Sequence, residues 1–134
     1  MDFLKKLLDT PSPSGFEGEA AKLWKAEAEG FADEVRFDVH GNTIATLNPG
    51  GKPKVMLAGH IDEIGLMVKS IDEQGFLKFA PIGGWDPQIL PGQRVKILTK
   101  QGIIKGVIGK KPIHLMRKPE ERTKATQIEE MFID

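Results

Sequence analysis

The spacing of hydrophobic residues changes several times along the chain, and each spacing predicts a different element. Two stretches near the start place apolar side chains at helical intervals and predict two short amphipathic helices. Thr10–Glu17 separates them, and its prolines end the first helix. Ser14 and Glu17 have the spacing of a capping box, so we expect the serines of this segment to cap the second helix. The apolar stripes are Phe3, Leu4, Leu7 and Leu8 in the first helix, and Phe16, Ala20, Leu23 and Trp24 in the second.

Strand patterns follow the helices. Apolar and polar residues alternate in Glu34–Val39 and again in Thr43–Leu47, which predicts a β-hairpin that turns at Gly41 and Asn42. Val55–Ala58 is different because its four residues are continuously apolar. Such a short run predicts a central strand that is covered on both faces.

The character of the chain changes near residue 67. Four short apolar runs follow at close intervals, with turn signals between them, and this is typical of a small barrel or sandwich. We therefore expect an α/β portion over residues 1–67 and a β-rich portion over residues 68–134. The four predicted strands are Leu66–Val68, Gly75–Phe79, Arg94–Leu98 and Ile103–Ile108.

Composition limits the classes of function. The 134 residues are 40% hydrophobic, with 19 basic and 19 acidic side chains, so the balance of charge favours neither nucleic acid nor a membrane as partner. Residues 94–124 are an exception, with ten Lys or Arg against two Glu. This run indicates a solvated face, with a self-complementary interface or a polyanion site as alternatives. The absence of cysteine excludes thiolate nucleophiles and thiolate metal sites, and a cytoplasmic location is expected.

His60 and Asp62 are the candidate site residues. Their spacing of two puts both side chains on one face of an extended chain. A metal-binding histidine uses one ring nitrogen for the ion and donates the other N–H, often to a carboxylate. The alternative is a hydrogen-bonded histidine at a strand end, followed by a turn that begins at Asp62. We expect Glu63 to point to the opposite face, His40 to lie in a turn and His114 in a loop.

Five motifs in order extend this interpretation: Thr10–Glu17, Asp38–Asn42, Ala58–Gly65, Gly83–Trp85, and Gly106–Gly109 with Pro112–His114. In this order they resemble the amino-terminal part of the tetrahedral, or glutamyl, aminopeptidases of metallopeptidase family 42. The resemblance implies the first part of a zinc-peptidase-like α/β/α catalytic domain, followed by a small β-barrel-like insertion that mediates dimerisation. It also implies assembly of dimers into a tetrahedral dodecamer.

The same resemblance implies the chemistry. His60 would bind one of two divalent ions, zinc or cobalt, and Asp62 would be the catalytic residue that orients the ring of His60. The ions would activate a water that attacks the first peptide bond of a short peptide. The remaining ligands and the general base are expected after Asp134, so we expect the chain alone to be inactive.

Two other functions stay open on the sequence. The β-rich half could be a non-catalytic binding or assembly module, in which His60 is merely structural. An endoglucanase-type glycoside hydrolase ranks last, although relatives of the family have sometimes carried that name. Such an enzyme needs two carboxylates that flank a sugar cleft, whereas Asp62 and Glu63 are adjacent and are expected to point apart.

Overall fold

The computed structural model describes residues 2–134, apart from the side chain of residue 121. The chain divides into two compact units, of which the first ends at Glu63 and the second spans Ile64–Asp134. Each unit has its own secondary structure and its own buried residues. Among the described residues, none of the helices has the length and apolar character that a membrane span requires.

The first unit contains the predicted helices and hairpin. Helix α1 spans Asp2–Asp9 and helix α2 spans Gly18–Ala28. Strands β1 (Glu34–Phe37) and β2 (Thr43–Thr46) pair antiparallel, in a register that places Glu34 opposite Thr46. The buried side chains of α2 are small ones, namely Ala20, Ala21 and Ala28.

The predicted capping box of α2 is wrong. Glu17 precedes the helix without a side-chain cap, and its carboxylate instead accepts a hydrogen bond from the Gly15 amide at 2.6 Å. The Ser14 hydroxyl donates to the carboxylate of Asp62, 48 residues further along the chain. Hydrogen bonds to ionised acceptors are stronger than those to neutral ones, so Ser14 serves a distant segment rather than its own helix.

The predicted central strand at Val55–Ala58 is also not formed. These residues have no regular secondary structure, and Val55, Met56 and Leu57 are 77%, 87% and 95% exposed. An inner strand requires flanking strands that satisfy its backbone groups. In the part of the chain that the structure describes, β1 and β2 pair only with each other, so this segment has no partner.

The second unit is built on one sheet of five antiparallel strands, in the order β3-β4-β7-β6-β5. The four predicted strands are all present, and the fifth, β7, was not predicted because two residues are too few to show a period. Short helical turns connect β4 to β5 and β6 to β7. The strands are β3 (Gly65–Ile71), β4 (Leu77–Ile82), β5 (Arg94–Thr99), β6 (Gly102–Gly109) and β7 (Phe132–Ile133). The helical turns are the 3₁₀ helices Pro87–Ile89, Ile113–Leu115 and Ile128–Glu130, and α3 (Pro119–Thr123).

The core of this unit lies where β7 joins β4 to β6. Its buried side chains are Phe79, Leu90, Ile108, Met131 and Ile133. Two glycines of β6 allow β7 to approach closely. A Cβ at Gly106 would stand 2.5 Å from Ile133 Cγ2, and a Cβ at Gly109 would stand 2.6 Å from the ring of Phe132. The Gly106–Gly109 motif therefore has a packing role in this sheet.

The motif at Gly83–Trp85 has a structural role as well. Gly83 has a φ of +80°, and a Cβ there would stand 2.6 Å from Cγ2 of Ile64, so only glycine fits without strain. Two residues later, the indole N–H of Trp85 donates to the carbonyl of Gly65 at 2.8 Å. This turn therefore fastens the end of β4 to the start of β3.

Candidate metal-binding site

The candidate site lies on a segment that is held by a distant part of the first unit. Pro13 and Glu63 form an isolated parallel β-bridge. The amide of Glu63 donates to the carbonyl of Ser12 at 2.9 Å, and the amide of Ser14 donates to the carbonyl of Glu63 at 3.2 Å. The segment 12–14 thus acts as a strap, and we use that name for it below. The strap fixes the backbone that directly follows His60.

Side chains reinforce the strap. The hydroxyl of Ser12 donates to the carbonyl of Ile61 at 2.9 Å, and the amide of Ser12 donates to Oε1 of Glu63 at 3.0 Å. Ser12 is only 5% exposed, so its polar groups need these partners. Glu63 therefore uses its carboxylate to hold the strap, which agrees with its omission from the predicted metal ligands.

The ring of His60 is oriented by Asp62. Nδ1 of His60 lies 2.9 Å from Oδ1 of Asp62 and 3.1 Å from the carbonyl oxygen of the same residue. Both neighbours are acceptors, so Nδ1 must carry the proton, and Nε2 of the neutral ring keeps its lone pair. The His60 side chain is 84% exposed. An accessible lone pair on a ring of fixed tautomer is what a metal ion requires of an imidazole ligand.

Asp62 is the centre of this arrangement. One of its carboxylate oxygens faces His60, and the other accepts a hydrogen bond from the hydroxyl of Ser14. The hydrogen bond from Ser14, and after it the one from His60, hold the pKa of Asp62 below its ordinary value of 3.8. Asp62 is therefore ionised at neutral pH and remains an acceptor for the N–H of His60.

The donor set fits one ligand of a metal site. Imidazole nitrogen suits zinc and cobalt, and Nε2 of His60 is available for such an ion. Within residues 2–134, with the side chain of residue 121 set aside, no three His, Asp or Glu side chains are grouped in a way that would hold a metal ion. The described part of the chain therefore contributes His60 and its orienting carboxylate but does not form a complete site, since catalytic zinc needs about three protein ligands.

The other two histidines belong to other elements. His40 lies in the turn between β1 and β2, as expected, where its amide donates to Oδ1 of Asp38 at 2.9 Å. His114 lies in a 3₁₀ helix of the second unit. The residues that the sequence analysis missed are Ser12 and Ser14. Their hydroxyls donate to Ile61 and Asp62, and the sequence contains no sign that segments about 50 positions apart would pair.

Comparison with known proteins assigns the chain to a family. The profile of the M42 glutamyl aminopeptidases matches residues 41–134. The chain belongs to this family. The predicted resemblance is therefore confirmed, and the M42 assignment implies divalent metal ions. A curated relative, the lysyl aminopeptidase of Pyrococcus furiosus, is 37% identical over 99% of this chain. The match covers 38% of that relative, so the chain spans less than two fifths of its length.

Solved structures agree with the family and with the α/β character of the fold. The TET aminopeptidase of the marine sediment archaeon Thaumarchaeota archaeon SCGC AB-539-E09 superimposes with a TM-score of 0.94 at 40% identity. The match covers all of this chain and 37% of that one. The TET1 peptidase of Pyrococcus horikoshii, which can assemble into a tetrahedron or a large octahedral shell, gives a TM-score of 0.85 at 33% identity. This match covers 99% of this chain and 39% of the TET1 chain.

Proposed function

We propose that this chain is the amino-terminal portion of a metal-dependent aminopeptidase that removes amino-terminal residues from short peptides. The observation that carries the proposal is the orientation of His60. Its Nδ1 faces Oδ1 of Asp62 at 2.9 Å, which leaves Nε2 free on an exposed ring. Membership of the M42 family supplies the class of reaction, because its curated relative is an aminopeptidase.

The roles of the two residues follow from their contacts. His60 is a metal ligand through Nε2, and Asp62 is the catalytic residue that holds the ring in the required tautomer. Two divalent ions, zinc or cobalt, complete the site in the full-length protein; when bound, they polarise the peptide carbonyl and lower the pKa of a bound water. The other ligands and the general base are contributed by further residues of that protein, and the described residues contain no group of three side chains that could hold a metal ion by itself.

The exposed segment Val55–Leu57 fits this proposal. Three apolar side chains that are 77–95% exposed are unusual for a segment without a binding role. We propose that residues 1–67 are part of an α/β/α catalytic domain, in which Val55–Ala58 becomes a paired central strand. Support comes from the relatives, which are more than twice as long as this chain.

The second unit has features that favour self-association. Four apolar side chains on β5 and β6 are 44–56% exposed, namely Leu98, Ile103, Ile104 and Val107. We propose that residues 68–134 belong to a β-barrel-like insertion that mediates dimerisation, and that dimers assemble into a tetrahedral dodecamer. The tetrahedral assembly of the Pyrococcus horikoshii TET1 peptidase supports this. A cytoplasmic location accords with a chain that lacks cysteine.

The alternatives are less well supported. A purely structural His60 gives no reason for a ring that is 84% exposed and is oriented through Nδ1 by Asp62. A glycoside hydrolase would need two free carboxylates across a cleft. Asp62 is instead bound to His60 and Ser14, and Glu63 is bound to the amide of Ser12.

A peptidase assay on the full-length protein tests the proposal. With zinc or cobalt added, we expect release of the amino-terminal residue from short peptides with a free amino group, and none from the same peptides after amino-terminal acetylation. The 134-residue chain is expected to release nothing under the same conditions. A folded, metal-loaded, full-length protein that cleaves no peptide of a varied set would contradict the proposal.

A further inference from the structure

We infer that Ser14 is a positioning residue for the metal ligand His60 and acts through Asp62. The inference rests on the proposed function, because it concerns how the ligand of that site is oriented. A continuous series of hydrogen bonds runs from the Ser14 hydroxyl to Oδ2 of Asp62, and from Oδ1 of Asp62 to Nδ1 of His60. The spacing of the sequence predicted a helix cap for Ser14, and the family profile matches residues 41–134, which do not include it.

The geometry explains why one hydrogen bond to Asp62 is insufficient. A carboxylate held at a single oxygen can rotate about its bond to the side chain, because that torsion has a broad energy profile. In this structure each of the two oxygens has its own donor, Ser14 on one side and His60 on the other. The plane of the carboxylate is therefore fixed, and with it the direction from which the N–H of His60 is held.

The position of Ser14 is itself fixed by the backbone. Its amide donates to the carbonyl of Glu63 at 3.2 Å, which places its hydroxyl beside Asp62. The chain then turns away at once, since Gly15 has a φ of +92° and the amide of Phe16 donates to the carbonyl of Pro13 at 2.8 Å. Ser14 therefore reaches Asp62 from a rigid site rather than from a flexible loop.

Ser12 offers a matched control in the same strap. Its hydroxyl also bonds to the segment after His60, but it donates to the carbonyl of Ile61 and not to Asp62. Loss of the Ser12 hydroxyl should loosen the strap without freeing the carboxylate of Asp62. If the role of Ser14 were only to hold the strap, Ser12→Ala and Ser14→Ala would have the same effects.

The first experiment measures the tautomer of His60 without metal. Two-dimensional ¹H–¹⁵N NMR distinguishes rings protonated at Nδ1 from rings protonated at Nε2, and the chain has only three histidines to assign. We expect the Nδ1–H form of His60 in the 134-residue wild-type chain and in Ser12→Ala. Ser14→Ala should show a mixture with the Nε2–H form, and Ser14→Thr, which keeps a hydroxyl, should restore the wild-type spectrum.

The second experiment measures zinc affinity of the full-length protein by competition with a chromophoric chelator. Ser14→Ala should bind Zn²⁺ about tenfold more weakly than the wild type, in the range found for residues that orient metal ligands. Ser12→Ala should weaken binding less than Ser14→Ala does, because it leaves the hydrogen bond from Ser14 to Asp62 in place. Ser14→Val has the shape of threonine without a hydroxyl, and it gives the same comparison if Ser14→Ala fails to fold.

The outcomes separate this inference from the proposed function. A wild-type protein that binds no zinc would overturn the proposed function. Zinc binding by the wild type with equal effects of Ser12→Ala and Ser14→Ala, or with no effect of Ser14→Ala and Ser14→Val, would overturn the role of Ser14 alone. A larger loss of affinity in the Ser14 variants that lack the hydroxyl than in Ser12→Ala, together with the mixed tautomer, would support it.

Discussion

Two aspartates organise the polar structure of the first unit at the scale of single residues. Asp62 joins the strap to His60, as described above. Asp38 has a similar role in the hairpin, where its Oδ1 accepts hydrogen bonds from the backbone amides of His40 and Asn42, each at 2.9 Å. Its other oxygen accepts the side-chain amide of Asn42 at 2.8 Å. These side-chain hydrogen bonds add to two backbone ones, from the Asp38 amide to the Asn42 carbonyl at 3.0 Å and from the Gly41 amide to the Asp38 carbonyl at 3.1 Å.

The turn at Asp38 should respond to acid. The hydrogen bond from the Asn42 side chain, ahead of those from the backbone amides, lowers the pKa of Asp38 below its ordinary value of 3.8. Because the folded form favours the ionised carboxylate, its contribution to stability is present above pH 3.8 and is lost as the pH falls through the lowered pKa. An NMR titration of the carboxyl carbon of Asp38 measures its pKa directly.

Asn42→Ala should raise the pKa of Asp38 toward 3.8. The pKa of Asp62 provides an internal control, because Asn42 is not among the groups that shift it. An Asp38 carboxyl that titrates identically in the wild type and in Asn42→Ala would show that the side-chain hydrogen bond does not set its charge.

At the scale of elements, both units depend on close pairing between segments that are distant in the sequence. In the first unit the strap pairs with the residues after His60. In the second, β7 fits between β4 and β6, where Ile133 pairs with Leu77 on one side and Ile108 on the other. Such pairings are set by the tertiary fold and involve too few residues to leave a pattern in the sequence.

Gly106→Ala tests the close contact between β6 and β7. The new Cβ would lie 2.5 Å from Ile133 Cγ2 and 3.0 Å from both the carbonyl oxygen of Asp134 and Cδ1 of Ile97. Overpacking of this kind should lower the free energy of unfolding by about 1–3 kcal/mol. Denaturant unfolding of the variant and the wild type measures the difference.

Gly84→Ala is the control for this substitution. Gly84 belongs to the same unit, and a Cβ there meets nothing within 4 Å, so the free energy of unfolding should change by no more than about 0.5 kcal/mol. If both alanine variants unfold with the same midpoint as the wild type, β7 does not approach β6 as closely as described.

Sequence periodicity predicted the elements well where they are regular. Both helices, the hairpin and four strands of the second unit lie where their apolar spacing indicates. The strand predicted at Val55–Ala58 is not formed. Its continuous apolar run predicts burial, but a central strand also needs neighbouring strands, and the described residues provide none for it. Ser14 was mistaken for a helix cap because the same residue types cap helices and hold carboxylates. For His60 and Asp62, spacing predicted their contact, and the structure supplied the orientation of the ring.

At the scale of the whole molecule, the chain offers one candidate ligand of a metal site and not the complete site. It belongs to the M42 glutamyl aminopeptidases, yet no group of three metal-ligating side chains occurs among the residues described. We therefore expect this chain to supply one oriented imidazole, and further residues of the full-length protein to supply the remaining ligands.

Zinc stoichiometry tests that central claim most directly. Equilibrium dialysis followed by elemental analysis should find two ions per chain in the full-length protein and loss of one of them in His60→Ala. His114→Ala should retain both, because His114 belongs to the second unit and is not a predicted metal ligand. A folded His60→Ala protein that retains both ions with unchanged affinity would contradict the assignment of His60 as a metal ligand.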